Sequence, residues 1–371
     1  MRRVSALLAV LSLAVTGCTF SSVDPDAPIR ISGRALDASG RPLSGAHVLL
    51  FKQADLGEVL LGTVLAIGTL STVCLLRDPP ALCDKASIAT ADADGRYEFE
   101  LKGSDTQGTL GTEATLNAVF SGPPAQGSTT ISFTAKDTEI TLPDARLWRS
   151  RASVSGQIGL SWSPLPRAAG RDPAYTAELF EAHGQSAFWS QPASGNAASI
   201  DPRILEDQSG AVAVSAGTDL AGGSGTGDVR ASYLSTRLPV DGTASRPPSR
   251  GRPCAAVTGT ARPVTRTMSA CAATDGDLLT PAQLSGKGAA VVTGVVIDLG
   301  GSRPVDLVVA RGVSGQLIVE VSEDGSTYRT VATGSGPTLA LRPAGRPNAR
   351  FVRLRSPAGL DESLLSELSV W

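Results

Sequence analysis

The sequence has only two histidines, His47 and His183, and its aromatic content is 4%. No His-Glu-x-x-His and no Gly-x-Ser-x-Gly occurs, and no cysteine lies beside a histidine. The usual spacings for metalloprotease, serine-hydrolase and thiol-nucleophile chemistry are therefore missing. Carboxylate pairs are present, but none falls in a recognisable glycosidase frame. Strong charge of either sign is also lacking: the formal net charge is -2, which gives nucleic acid no basic surface to bind. Arg246, Arg250 and Arg252 cluster among Pro, Ser and Gly, and read as a solvated linker rather than a binding patch. The expectation is a non-catalytic chain.

Glycine (40) and proline (24) are abundant, so the chain is punctuated by turns, while Val, Thr and Ser recur in short alternating runs. With 42% hydrophobic residues over 371 positions, two or three β-rich domains are expected. The longest charge-free stretch of interest, Val59–Leu76, has eighteen residues, enough for a transmembrane candidate by length. Strand-like runs flank it at Val48–Phe51 and Ser87–Ala91. A span would put these on opposite sides of a bilayer, so an apolar insert at 56–86 packed on a sandwich is expected. Five cysteines occur. With Cys18 set aside, four allow three connectivities. The local pairs Cys74–Cys83 and Cys254–Cys271 are favoured because each closes a short loop within one region; each would contribute ~2–3 kcal/mol.

Arg2 and Arg3 precede a short apolar run, Ala6–Val15, too short to span a membrane. The run ends in Val15-Thr16-Gly17-Cys18, which resembles a bacterial lipobox. The resemblance implies removal of residues 1–17 as a signal peptide and lipidation of Cys18 (palmitate included). It also implies anchorage in the cell envelope: at the outer membrane if the cell has one, because Thr19 follows the cysteine, and otherwise on the outer face of the cytoplasmic membrane. Residues 18–27 read as a polar tether freeing the folded part from the membrane surface.

Three β-sandwich domains in tandem are expected after the signal peptide, making the chain all-β. In 28–147, Gly33-x-x-x-Asp37-x-x-Gly40-x-Pro42-Leu43-x-Gly45-Ala46-x-Val48 and Asp92-x-Asp94-Gly95-x-Tyr97-x-Phe99 resemble a carboxypeptidase regulatory-like, transthyretin-like domain, an accessory type without peptidase chemistry. His47 reads as a structural or surface residue, because no second ligand lies at metal spacing. Asp92 and Asp94 read as a hairpin turn, since the Glu that closes an EF-hand loop is missing. Region 150–240 resembles a fibronectin type III domain: Leu160-x-Trp162 with a Pro-rich exit, the Tyr175 strand, then Val212-x-Val214. Trp162 and Trp189 are expected in its core, His183 in an exposed turn, and Gly222–Gly227 as a flexible hairpin loop. Residues 241–253 form the linker.

From 254 to 371, the blocks Ala273-Thr274-Asp275-Gly276-Asp277, Val295–Gly300, Leu317–Tyr328, Ala349–Arg355 and Leu365–Val370 resemble a discoidin domain of the coagulation-factor C type, a galactose-binding-like jelly roll. That resemblance implies carbohydrate recognition and a structural Ca²⁺ with Asp275, Asp277, Thr280 and Glu367 as ligands. Hard oxygen donors from a tight loop plus one distant carboxylate suit that ion. The chain departs from the family at Ala282, where a Trp is usual, and its loops offer few aromatic faces for stacking on sugar rings. Arg353 and Arg355 read as sheet surface. Two roles are expected: ligand binding, carbohydrate by resemblance, through 254–371, or docking of an envelope protein through the apolar insert at 56–82; a degenerate hydrolase with an unrecognised carboxylate pair is the third reading left open.

Overall fold

The computed structural model describes residues 20–53, 87–108, 111–121, 127–148, 150–155, 157–165, 172–182, 184, 187–220, 223–243, 245–258, 268, 271–277, 281–282, 292–313, 315–336, 338–360 and 365–371. The expected signal peptide 1–17, Cys18, the expected apolar insert with Cys74 and Cys83, His183 and Thr280 lie outside them. The regular structure among the described residues is almost entirely strand, with a few 3-10 turns, and no helix among them is long and apolar enough to cross a membrane.

The first module contains β1 (Pro28–Leu36), β2 (His47–Lys52), β3 (Ser87–Thr90), β4 (Arg96–Lys102), β5 (Thr115–Ser121), β6 (Ser128–Thr134), β7 (Glu139–Thr141) and β8 (Ala145–Arg146). Alternation sets its faces. In β1, Ile29 and Ile31 point inward against Phe99 and Phe120, while Arg30 points out and pairs with Glu98 at 2.8 Å. Sheet β4-β1-β7 faces sheet β6-β5-β2-β3 across this core. Gly33 is required there: a Cβ would lie 2.2 Å from the Tyr97 hydroxyl. The Asp92 turn corrects the hairpin expectation. Asp92 accepts from the Asp94 and Arg96 amides, but β3 pairs with β2 and β4 with β1, so the turn joins two different sheets.

The middle module contains β9 (Ser150–Ser155), β10 (Gln157–Trp162), β11 (Ala174–Glu181), β12 (Ala187–Ala193), β13 (Ala197–Ile200), β14 (Ser209–Asp219), β15 (Arg230–Leu234) and β16 (Leu238–Asp241). Its core holds all four tryptophans, Trp148, Trp162, Trp189 and Trp371. The edge-on pair Trp148–Trp162 and Tyr175 fill its centre. Strand β15 pairs with β14 on one side and with β6 on the other, so one sheet, β12-β11-β14-β15-β6-β5-β2-β3, runs through both modules. The glycine-rich loop between β14 and β15 is not free. Ser224 bridges Thr141, Thr226 bridges Ala135, and Gly225 sits so close to the Glu139 carbonyl that a Cβ would meet it at 2.3 Å.

The C-terminal module contains β17 (Cys254–Thr258), β18 (Val292–Pro304), β19 (Val308–Arg311), β20 (Gln316–Ser322), β21 (Arg329–Ser335), β22 (Thr338–Leu341), β23 (Asn348–Arg355) and β24 (Glu367–Val370). Sheet β17-β18-β23-β20-β21 covers sheet β22-β19-β24 over an aliphatic core. Strands β19 and β24 are buried on both faces. Val308, Ala310, Leu368 and Val370 point into the module's own core, while Leu307 and Val309 join the middle core. Consequently 241–253 is not a solvated linker. Ser249 is fully buried and its hydroxyl accepts from the Val370 amide at 2.8 Å, while Arg250 pairs with Asp207 at 3.0 Å.

The tether expectation is also overturned. Phe20 bridges Thr112, the Ser21 amide donates to Gly111, Val23 is buried in the first core, and Gln107 donates to the Val23 carbonyl at 2.6 Å. One apolar side chain and a run of backbone hydrogen bonds fix residues 20–27 to the module.

Candidate functional site

Four positions were expected to hold a cation: Asp275, Asp277, Thr280 and Glu367. The disulfide Cys254–Cys271, with Cα atoms 5.5 Å apart, ties the start of β17 to the 3-10 turn Ala272–Thr274 that leads into the loop at 275–277. Gly276 takes φ +83, a conformation that costs glycine little. Its amide donates to Glu367 Oε2 at 3.0 Å, so the loop is bonded to the last strand. The Asp277 amide donates to Asp275 Oδ1 at 2.7 Å, closing an Asx turn. Asp275 and Glu367 are thus brought together, Asp277 follows in the same turn, and Thr280 lies outside the described residues.

Glu367 has no solvent exposure, and its Oε1 has no hydrogen-bond partner. Burial, with the neighbouring Glu206 and Asp275 carboxylates, pushes its carboxyl up to about 8, against the pull of the Gly276 amide and Arg250. A buried acid with an empty oxygen and anionic neighbours has the electrostatics a hard cation relieves. Among the described residues, no group of three or more His, Cys, Asp or Glu side chains converges as a metal cage. Of the four expected donors, the described residues bring together two carboxylates, Asp275 and Glu367.

The structure adds residues that local sequence does not single out. Glu206, almost fully buried with φ +56, accepts from the Ser369 hydroxyl across the middle–C-terminal boundary. Arg311, also buried, donates to the Ile204 carbonyl and lies 4.5 Å over the Phe188 ring. Its desolvation lowers the guanidinium's affinity for its proton, and Glu206, Glu181 and Glu367 restore part of it. Nearby, Asp306 accepts from Arg203 at 2.8 Å, and Arg342 and Arg346 bridge to it. Glu206 follows a Pro202 turn with no periodicity of its own, so its only sequence signal is a Glu-Asp pair at a strand entry.

On the outer face of the five-stranded sheet, Arg353 is buried rather than exposed: it pairs with Glu320 at 2.6 Å and lies 3.9 Å over Tyr328. Arg355 is half-buried, 3.5 Å from the same carboxylate. Arg350, held by Asp298 at 2.9 Å, lies over Phe351. Ala282 is buried in the aliphatic core, and His47 is exposed on β2. Trp162 and Trp189 are core, as expected. Hollows open elsewhere, among them one of about 670 Å³ beside Arg34, Ile88, Arg96 and Tyr97, and one of about 490 Å³ between the Asp37–Arg41 turn and Ser161–Ser163. In the latter, the Asp37 carboxylate is occupied by Ser39 and Arg41.

No protein-family model matches the chain, and no curated protein matches it. Solved structures with partial likeness include CpGH89CBM32-5 from Clostridium perfringens in complex with GalNAc-beta-1,3-galactose (21% identity, TM-score 0.28, 34% of this chain and 99% of that one). They also include a chitosan-binding module from the chitosanase/glucanase of Paenibacillus sp. IK-5 (17%, 0.25, 34% and 97%). A third is SpGH29 (19%, 0.25, 34%), of whose length the match spans only 28%. At these identities and scores the likeness decides neither ligand nor activity.

Proposed function

We propose that the protein is a non-catalytic, lipid-anchored binding protein of the cell envelope, and that its C-terminal module takes an extracellular or cell-wall carbohydrate. The carrying observation is that the discoidin-like blocks close as one two-sheet sandwich whose first loop is bonded to its last strand through Gly276 and Glu367. That staple, completed by Ca²⁺ at Glu367 and Asp275, would fix the neighbouring loops, and fixed loops lose less freedom on binding a polyhydroxyl ligand. The test uses residues 20–371, because a fragment of 254–371 would bare Leu307, Val309 and Trp371. Binding is titrated over a polysaccharide panel with calcium and with chelator. Saturable binding that weakens at least tenfold on chelation or in Glu367→Ala is expected. A flat response across the panel would remove carbohydrate as the ligand and point to a protein partner.

A further inference from the structure

We propose that the pole of the first module carrying Phe20 is a membrane-contact surface, seated on the lipid interface rather than held away from it. This rests on the reading of Cys18 as the acylated residue. The argument begins with reach. Two peptide links separate Cys18 from Phe20 and span at most ~7 Å. From Phe20 onward the chain is fixed to the module by the Thr112 bridge, the Ser21–Gly111 hydrogen bond and the buried Val23. No slack remains to hold the module off the bilayer.

The strand register shows which surface this brings down. Lys52 at the end of β2 pairs with Leu116 near the start of β5, and Thr134 at the end of β6 pairs with Thr115. Pro28 at the start of β1 pairs with Lys102 at the end of β4. These ends share one pole with Phe20: Lys52 donates to the Gln107 carbonyl, Gln107 to that of Val23, and Ser22 to that of Lys136. Phe20 is 70% exposed there, which puts an aromatic side chain at this pole two residues from Cys18. Charge around the pole is mixed: Lys52, Lys102 and Lys136 lie among Asp24, Asp26, Asp105 and Glu113. Contact is therefore apolar and interfacial, not an attraction to anionic headgroups.

The test uses the full acylated chain carrying Phe20→Trp in phosphatidylcholine vesicles brominated on the acyl chains. Mass spectrometry first reads the modification of Cys18. All four native tryptophans are buried in the middle core, so the wild-type chain supplies an unquenched background. With Cys18 acylated, most of the emission added by the substitution is expected to be quenched, in low and high salt alike. Acylation without quenching, or quenching lost in high salt, would overturn the contact surface and leave the anchor standing. An unacylated Cys18 would overturn both.

Discussion

The two junctions between the modules are built from different materials. First and middle modules are joined by main chain: β15 is hydrogen-bonded to β6 along Arg230–Leu234, and the glycine-rich loop adds further bridges to β6 and β7. Middle and C-terminal modules are joined by side chains. Leu307, Val309 and Trp371 enter the middle core, while Arg311, Glu206 and the Asp201–Arg203–Asp306–Arg342 network carry buried or half-buried charge across the boundary. A ladder is indifferent to most side-chain identities and intolerant of a missing amide; a side-chain interface is the reverse.

Trp371→Ala should have the largest effect. It removes a buried aromatic from a core to which its own module is not native, at a cost of about 3–5 kcal/mol. The expected result in calorimetry is a joint downward shift of the middle and C-terminal transitions, with their separation unchanged. A shift confined to the C-terminal module would mean that Trp371 only decorates the boundary.

The ladder is probed at Ser232, which is exposed and pairs with Thr130 in β6 and Gly217 in β14. Ser232→Pro deletes an amide inside the continuous sheet and should cost about 3 kcal/mol or more, whereas Ser232→Ala should cost under ~0.5 kcal/mol. Chemical denaturation of the two variants measures the contrast. Equal effects would mean that the junction does not depend on the ladder.

The difference between the junctions also explains what the sequence made legible. Short-range pattern sufficed for the alternating strands, the core tryptophans Trp162 and Trp189, the Asp-Gly turns and the local disulfide Cys254–Cys271. Each is decided within about twenty residues. The pairing of β15 with β6 joins positions some hundred residues apart through backbone groups every residue carries, so no side chain advertises it. Residues 241–253 have linker composition, yet Ser249 is buried because β24 returns from 121 positions later, where the Val370 amide donates to its hydroxyl. Val23 was the local hint: a β-branched apolar residue set between Ser22 and Asp24 in a supposed tether. Asp275 and Glu367 were paired through a family resemblance; their partner Glu206, in another module, could not be.

A smaller energetic effect than those at the two junctions is the most informative about that site. Glu367 keeps its proton up to about 8 in the folded chain, whereas an unfolded glutamate releases it near its ordinary value of 4.5. Between those values the folded state binds more protons than the unfolded one, so stability in chelator falls as pH rises through that window. The loss should be roughly 2 kcal/mol, less than the full shift converts to, because a bared carboxylate recruits water and Arg250 stands nearby. Glu367→Gln should flatten the slope in chelator. Calcium should flatten it for the wild-type chain alone, because the ion replaces the proton as the countercharge and Gln offers it none. Denaturation midpoints at pH 5, 7 and 9, with and without calcium, read all three, and a wild-type slope indifferent to calcium would leave Glu367 a buried acid whose only counterpart is its proton.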